Sequence, residues 1–358
     1  MDKLNTKHLI FIIWGTSIVA MKTYPNVFIA QGGRDSWISV IIASIIILFY
    51  FIYLLFVCKK TNCYDMYKIY HRALGKTVGD IFLILFIITL IISLIESSSV
   101  EANAMHVNML TETPPWFFLL FILLPAIYII KKGTRAITIV TLIGITLIMF
   151  AGINLSILTA PYKTYSYLLP IMANGVTKSF VLSVIKALGC YGSIAICIPF
   201  LSRVYNKSKI TKHCVIAILI VIQMEIFANV GVLTTFGVNR VLTINYPKLI
   251  QTQLIDYFGF LEGGEFYVML QMVGGWFIKY VLTLSAIMIL LQKLSFFNKY
   301  WIYIITLIVF IISYFLSAKV LLLYKFLNLY VYFSVVSFLL IPTIIFSIFY
   351  FNNRKNNK

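Results

Sequence analysis

Six charged residues lie within long apolar stretches of the sequence. Three are lysines and three are glutamates, namely Lys22, Lys186, Lys279, Glu96, Glu101 and Glu225. In a lipid bilayer each such charge costs roughly 2.5 to 3.5 kcal/mol near the centre, so charged side chains usually face the bundle interior and pair there or meet water. These residues therefore predict a buried polar site. Lys186 has the alternative of extending to the membrane surface, and Glu101 has the alternative of an interfacial position.

The first apolar stretch, SIVAMKTYPNVFIA at 17–30, contains Lys22 and Pro25. Proline lacks an amide hydrogen and clashes with the preceding turn, so a helix normally ends before it and restarts at proline. The stretch LGCYGS contains Gly189 and Gly192, each of which weakens a helix by about 1 kcal/mol relative to alanine. Interruptions at matching positions of two membrane helices are typical of a ligand site at the bilayer midplane. Simple kinks are the alternative interpretation.

Both signs of charge near these interruptions favour a small zwitterion, an amino acid, as the ligand. Backbone amides after Pro25, with Lys22, would attract its carboxylate. Carbonyls of the interrupted turns, with Glu96 and Ser99 on one helix face, would meet its amine, and Tyr191 would form an apolar wall. The predicted ligand-binding residues are Ala20, Met21, Lys22, Thr23, Glu96, Ser99, Gly189, Cys190, Tyr191 and Gly192.

A second group of residues is predicted to couple binding to conformational change. It comprises Lys279, Thr283, Ser285 and Glu225. The hydroxyls of Thr283 and Ser285 would suit a sodium ion, whereas Lys279 would supply a permanent positive charge at the same place. The lysine favours a binding-induced switch, as in a receptor, over a transporter driven by protons or sodium. A structural scaffold with a vestigial pocket is a third possibility.

Catalysis and metal binding find no support in the sequence. His8, His71, His106 and His213 fall in or beside different loops, with no nucleophile and base assembled around any of them. Cys58 and Cys63 lack a second pair that would complete a zinc site. We therefore expect no enzyme, no cofactor and no metal.

Composition places the chain among polytopic membrane proteins. Its 358 residues are 61% hydrophobic and 11% charged, and the mean hydropathy is +0.97. These values exclude a soluble globular domain. The net charge of +18 is explained by basic residues between membrane spans rather than by nucleic-acid binding.

Ten stretches are long and apolar enough to span a bilayer, which needs about 20 residues. They cover 9–30, 36–58, 78–102, 115–130, 136–158, 180–201, 213–236, 265–291, 300–318 and 326–350. Basic residues concentrate on one side, which predicts that both termini are cytoplasmic. The other side holds only Arg34, Lys163, Lys178, Arg240, Lys248, Lys319 and Lys325.

The ten spans divide into two sets of five. Because five is odd, the second set crosses the membrane in the opposite sense, which is the topology of an inverted repeat. We therefore predict one all-α membrane domain over 1–358, with repeat one at about 9–158 and repeat two at about 180–350. Helices one and six, the first of each repeat, would be the broken ones.

Six segments resemble, in the same order, the spore-germination permeases. They are GGRDSWIS after span one, LGKTVG at 74–79, TPPW at 113–116, LLPIMANG at 168–175, NYPKL at 245–249 and FLEGGEFYVM at 260–269. This family comprises the B-type subunits of nutrient germinant receptors, within the amino acid-polyamine-organocation superfamily.

The resemblance implies a ten-helix, leucine-transporter-like fold in the inner membrane of a dormant spore. It also implies an A-type membrane subunit and a C-type lipoprotein as partners, besides membrane lipid and a small nutrient such as an amino acid. The individual matches are Gly33, Arg34, Asp35, Trp37, Thr113, Pro114, Leu261 and Glu262. Gly263, where arginine is expected, and Ser193, where many relatives have glutamate, depart from the pattern.

Overall fold

The computed structural model describes residues 4–257, 261–262, 264–294, 298 and 300–356. Gly263 lies outside these ranges, as do Lys3, Lys299 and Lys358. The described chain is helical except for a short antiparallel ribbon of β1 (Asp256–Tyr257) and β2 (Leu261–Glu262).

The helices of the first half follow one another with short connections. They are α1 (Thr6–Ser17), α2 (Ala20–Thr23), α3 (Asn26–Gly32), α4 (Ser36–Lys60), α5 (Met66–Leu74), α6 (Lys76–Asn108), α7 (Pro115–Lys132) and α8 (Thr134–Leu158). Short 3₁₀ turns lie at Gly33–Asp35, Ala160–Tyr162 and Tyr165–Leu168.

The second half has fewer but longer helices. They are α9 (Lys178–Tyr191), α10 (Ile210–Thr243), α11 (Pro247–Gln253), α12 (Glu265–Leu291), α13 (Trp301–Ser317), α14 (Val320–Ser334) and α15 (Ile341–Asn356). A 3₁₀ segment at Gly192–Arg203 follows α9, and a π-helical segment at Val335–Leu340 joins α14 to α15.

Within the described residues, eight helical stretches are long and apolar enough to cross a membrane. They are Asn26–Lys60, Lys76–Asn108, Pro115–Lys132, Thr134–Leu158, Lys178–Arg203, Ile210–Thr243, Phe266–Leu291 and Val320–Lys355. The predicted ninth span corresponds to the shorter apolar helix α13, and the predicted first span is divided among α1, α2 and α3. The chain is thus an all-helical membrane protein, and the ten-helix inverted repeat stays a prediction.

The first predicted span is interrupted twice. Its second interruption lies at Tyr24 and Pro25, where Tyr24 leaves the helical region with φ −127° and ψ 58° and α3 begins after Pro25. This break follows from the clash of proline with the preceding turn. A milder interruption at Ile18 and Val19, which both keep helical φ and ψ, separates α1 from α2 three residues after Gly15.

In the sixth predicted span the α-helix ends inside the stretch LGCYGS, where the interruption was predicted, but the backbone stays helical beyond it. The α-helix α9 ends at Tyr191, but the chain continues as a 3₁₀ helix, with Gly192 at φ −53° and ψ −28°. Its glycines serve close packing. A Cβ on Gly189 would lie 2.1 Å from the Val331 carbonyl oxygen of α14. The span therefore changes pitch instead of opening its backbone.

Candidate functional site

A buried ion pair joins the third and eighth predicted spans. Nζ of Lys279 on α12 lies 2.7 Å from Oε2 of Glu96 on α6, and neither side chain is exposed. Tyr24 donates its hydroxyl to Oε1 of Glu96 at 2.5 Å, and Ser93 donates to Oε2 at 3.2 Å. Buried charges persist when they are paired and fully hydrogen-bonded. Both oxygens of this carboxylate therefore have partners.

Aromatic contacts complete this cluster. The rings of Tyr24 and Trp276 stack with centroids 6.1 Å apart, and Nζ of Lys279 lies 4.9 Å from the Trp276 ring centroid. A cation over an indole face is attracted by the ring quadrupole. Because Tyr24 stands at the second interruption of the first span, the cluster fixes the broken backbone to α6 and α12. The sequence analysis did not single out Tyr24, although a tyrosine directly before Pro25 in an apolar stretch was a usable signal.

Lys22 lies apart from this ion pair and lines a different space. It borders a narrow cavity of about 20 Å³ between α1, α2, α8, α11 and α12. Its polar lining consists of Lys22, Thr23, Tyr246, Lys248 and Gln271, and the rest of the wall is mainly apolar. A space of this volume holds about one water molecule.

Glu225 and Asn229 lie one turn apart on α10, which packs against α2. Both side chains are buried. Among the described residues, the two carboxylate oxygens of Glu225 and the side-chain amide oxygen and nitrogen of Asn229 have no hydrogen-bond partner. Glu225 and Lys22 attract each other through their opposite charges. They do not form an ion pair among the described residues, however. Buried polar groups without partners are rare and call for a water, ion or ligand nearby.

Lys248 reaches the cavity from α11, outside the predicted spans. Nζ of Lys248 donates to Oε1 of Gln251 at 2.7 Å, and the Gln251 amide donates to Thr235 Oγ1 at 2.6 Å. Burial, and to a lesser extent the positive charges of Lys22 and Lys163, lower the pKa of Lys248 to about 7. The sequence analysis counted Lys248 only as an outer-loop charge, so it missed this residue as part of a cavity.

The predicted helix-one residues divide between the core and the cavity. Ala20 and Met21 are buried in the core, and Thr23 lines the cavity while its hydroxyl donates to the Val19 carbonyl at 2.9 Å. Of the amides after Pro25, those of Val27 and Phe28 donate to the carbonyls of Tyr24 and Pro25. The expectation that amides in this turn bind a carboxylate stays a prediction.

The predicted helix-six residues serve packing. The hydroxyls of Tyr191 and Ser44 lie 2.7 Å apart, so Tyr191 contacts α4, and Cys190 is buried. A Cβ on Gly192 would lie 2.1 Å from Oγ of Ser334. Among the described lining residues of the Lys22 cavity none comes from the stretch Gly189–Gly192. The structure thus does not bring helix one and helix six together around that cavity.

The remaining predicted polar residues are mostly bonded locally. Ser99 donates to the Ile95 carbonyl at 2.5 Å, and Thr283 donates to the Lys279 carbonyl at 2.7 Å. Ser285 is buried. Lys186 donates to Oδ1 of Asn328 at 2.7 Å.

Glu101 is 2% exposed, so it lies inside the protein, and its Oε2 has no hydrogen-bond partner among the described residues. Burial within the protein does not fix the depth of Glu101 in the membrane, so the interfacial alternative stays a prediction.

The turn after the first span contacts the loop around Leu169 and Met172. The predicted topology puts this contact on the same side of the membrane as Lys248. Arg34 donates to the Leu169 carbonyl, and Oδ1 of Asp35 accepts the Met172 amide at 2.9 Å. The GGRD and LLPIMANG segments thus contact each other directly. This contact explains the residue types in both segments without any ligand.

Comparison with known proteins gives a consistent result. A family model described as Spore germination protein matches residues 3–322. A protein described as Spore germination protein XB, from Bacillus anthracis, is 24% identical over 283 residues, which cover 78% of this chain and 78% of that protein.

Proposed function

The chain belongs to the spore germination permease family, and from that premise we propose that it is the B-type membrane subunit of a nutrient germinant receptor. The family and the apolar helices together make it a germination-related membrane protein. In the proposal it binds a small nutrient, an amino acid or a related compound, and triggers germination with an A-type membrane subunit and a C-type lipoprotein. Its place would be the inner spore membrane, with both termini in the cytoplasm.

The observation that carries the proposal is the hydrogen bond from Tyr24 to Glu96. It connects the interrupted backbone of the first span to the buried Lys279 pair, while Lys22, two residues before Tyr24, faces the cavity. A ligand that contacts Lys22 would displace the backbone at this interruption and change the packing of α6 and α12. This arrangement supports a binding-induced switch.

A coupled amino acid transporter is the alternative function. The same cavity would serve it, but the carboxylate of Glu96 already has a resident cation in Lys279, and the Thr283 hydroxyl is bonded within its own helix. Uptake by the purified chain in proteoliposomes distinguishes the two. Gradient-driven accumulation of an amino acid would favour the transporter.

Spores with this subunit deleted and then restored provide the direct test. We compare wild type, Lys22→Met and the control Lys325→Met, which removes an exposed lysine, and measure germination with single amino acids. The deletion and Lys22→Met are expected to abolish the same nutrient response, with Lys22→Met at wild-type abundance in the membrane, whereas Lys325→Met responds normally. A normal response from Lys22→Met would remove the proposed site, and a normal response from the deletion would remove the function.

A further inference from the structure

A groove on the outer surface of the protein lies between the start of α1 and the start of α8. Its volume is about 550 Å³, far more than the about 30 Å³ that one water molecule occupies in the liquid. His8 of α1 lines it together with Thr134, Arg135, Ile139 and Ile143 of α8. Toward Phe11 and Ile12 the space narrows until it has no room for a water molecule. The groove is therefore open outward and closed toward the core.

Polar and apolar residues occupy different levels of this groove. Thr134 and Arg135 are the first two residues of α8, directly after the basic end of α7. The distribution of basic residues predicts that this end lies at the cytoplasmic surface. Ile139, Leu142 and Ile143 continue the groove along α8, and all three are exposed on the protein surface. Because α8 is apolar and long enough to cross a membrane, the groove runs from headgroup level into hydrocarbon level.

Arg135 supplies a cation at the polar end. It is exposed, and it forms no hydrogen bond or ion pair with the residues that the structure describes. The nearby Arg203 differs, because it donates to Thr134 Oγ1 at 3.2 Å and to Gln292 Oε1 at 2.7 Å. A guanidinium group presents a fork of donors that fits two oxygens of one phosphate. Arg135 is therefore suited to bind an anionic headgroup.

His8 supplies a second donor from the other wall. Its Nδ1 accepts the backbone amide of Asn5 at 3.3 Å, as part of the capping box of α1. In the neutral ring this bond assigns the hydrogen to Nε2. Among the described residues, Nε2 of His8 has no hydrogen-bond partner. The groove thus combines a permanent cation and a neutral donor with an apolar wall beyond them.

We propose that this groove binds an anionic glycerophospholipid. Its phosphate contacts Arg135 and His8, and the first part of an acyl chain lies along Ile139 and Ile143. Basic pockets between membrane helices at the cytoplasmic end are typical sites for acidic headgroups. The positive group of a zwitterionic headgroup would be repelled by Arg135. The inference concerns a lipid and not the nutrient, so it is independent of the proposed function.

A lipid in this groove has a consequence for the first span. α1 packs against α8 and against the 3₁₀ segment at Gly192–Arg203. Just before α1, Leu4 donates its amide to the Arg203 carbonyl at 3.1 Å and accepts the Tyr205 amide at 3.2 Å. A lipid that contacts both α1 and α8 would add a further restraint on α1, the first part of the interrupted span.

Native mass spectrometry of the purified full-length chain in detergent tests the inference. Dioleoylphosphatidylglycerol and dioleoylphosphatidylcholine share their acyl chains and their phosphate but differ in net charge. We expect the chain to retain phosphatidylglycerol with a Kd at least about fivefold lower, since one basic residue at the membrane surface contributes about 1 kcal/mol. Equal retention of the two lipids, or retention of neither, would overturn the inference.

Three variants assign the preference to the groove. Arg135→Gln should abolish the about fivefold preference, and Arg135→Lys, which keeps the charge, should retain most of it. The matched control is Lys132→Gln at the same end of the bundle, where Nζ of Lys132 lies 5.2 Å from the Tyr128 ring centroid and outside the groove lining. This control should keep the preference within about twofold. Equal losses in Lys132→Gln and Arg135→Gln would indicate a general attraction to basic residues and would overturn the inference.

A photoreactive lipid locates the site without any substitution in the groove. Phosphatidylglycerol with a diazirine near the ester end of one acyl chain should crosslink to residues 139–143, and the same probe with a choline headgroup should do so more weakly. Crosslinks confined to other helices would overturn the inference, even if Arg135→Gln fails to fold.

The acidic residue nearest to α1 in the sequence provides a last check. Asp2 precedes Leu4 by two positions and lies outside the described residues. Asp2→Asn should leave the retention of phosphatidylglycerol unchanged. A gain of about fivefold would show that Asp2 already neutralises Arg135, and it would overturn the assignment of Arg135 to a lipid phosphate.

Discussion

Lys279 and Glu96 form a fully buried ion pair with 2.7 Å between Nζ and Oε2, although 183 positions separate them in the sequence. Because Tyr24 and Ser93 also donate to this carboxylate, the pair lies at the meeting point of the broken first span, α6 and α12. A charge pair in this position constrains which helices can pack together. It also sets what single substitutions will do.

Removing one member of this pair should be strongly destabilising. Lys279→Met leaves the Glu96 charge buried without its partner, and such losses cost about 3–5 kcal/mol. We expect a lower abundance in membranes and a lower thermal unfolding midpoint in detergent. The double variant Lys279→Met with Glu96→Gln should recover much of the loss, since no unpaired charge remains.

The matched control for that experiment is an ion pair whose side chains are more exposed to solvent. Lys293 and Asp65 are 3.0 Å apart, and the Lys293 side chain is 43% exposed. Lys293→Met should therefore cost less than about 1 kcal/mol. If Lys279→Met and Lys293→Met lowered the free energy of unfolding equally, the buried pair would be no more important for stability than the exposed one.

The close packing of Gly189 against α14 predicts a second effect on stability. Alanine there would place its Cβ 2.1 Å from the Val331 carbonyl oxygen, so α9 and α14 must separate, at a typical cost of about 1–3 kcal/mol. The control is Gly231→Ala on α10, where the nearest atoms to a new Cβ are 3.9 Å away. That substitution should be neutral or stabilising by up to about 1 kcal/mol.

Thermal unfolding of both purified glycine variants checks this prediction. A stable Gly189→Ala variant would indicate that α14 can move aside. At Gly192 an added Cβ would lie 2.1 Å from Oγ of Ser334, a side-chain atom rather than backbone. A bulky residue at Gly192 should therefore reduce protein abundance, so loss of germination in such a variant would not by itself identify a ligand contact.

Some features of this fold follow from local chemistry and were predictable. Pro25 interrupts the first span because its ring excludes the preceding helical turn, and the apolar stretches form the long helices. The buried charges Lys279 and Glu96 were recognisable as unusual in lipid. Their pairing was not, because it depends on how α6 packs against α12, which no local pattern in one sequence encodes.

Other features depend on contacts between distant segments. Gly189 and Gly192 are weak helix formers, which predicted an interruption, and the α-helix does end between them, at Tyr191. Their close packing against α14 was not predictable. Lys248 has the composition of an ordinary loop lysine, and only the fold of α11 against α2 brings it to the cavity. The π segment at Val335–Leu340 does have a local cause, because Pro342 has no amide hydrogen to donate to the Phe338 carbonyl four residues earlier. Tyr50 donates to that carbonyl at 2.7 Å instead, and this contact was not predictable.

Sodium should have little effect on ligand binding. Lys279 already supplies the positive charge beside Glu96, and Thr283 donates its hydroxyl to the Lys279 carbonyl. We therefore expect the affinity of the purified chain for its nutrient to be equal within about twofold in sodium chloride and in choline chloride at one ionic strength. An increase in affinity of about tenfold in sodium would indicate a coupling ion and would favour the transporter alternative.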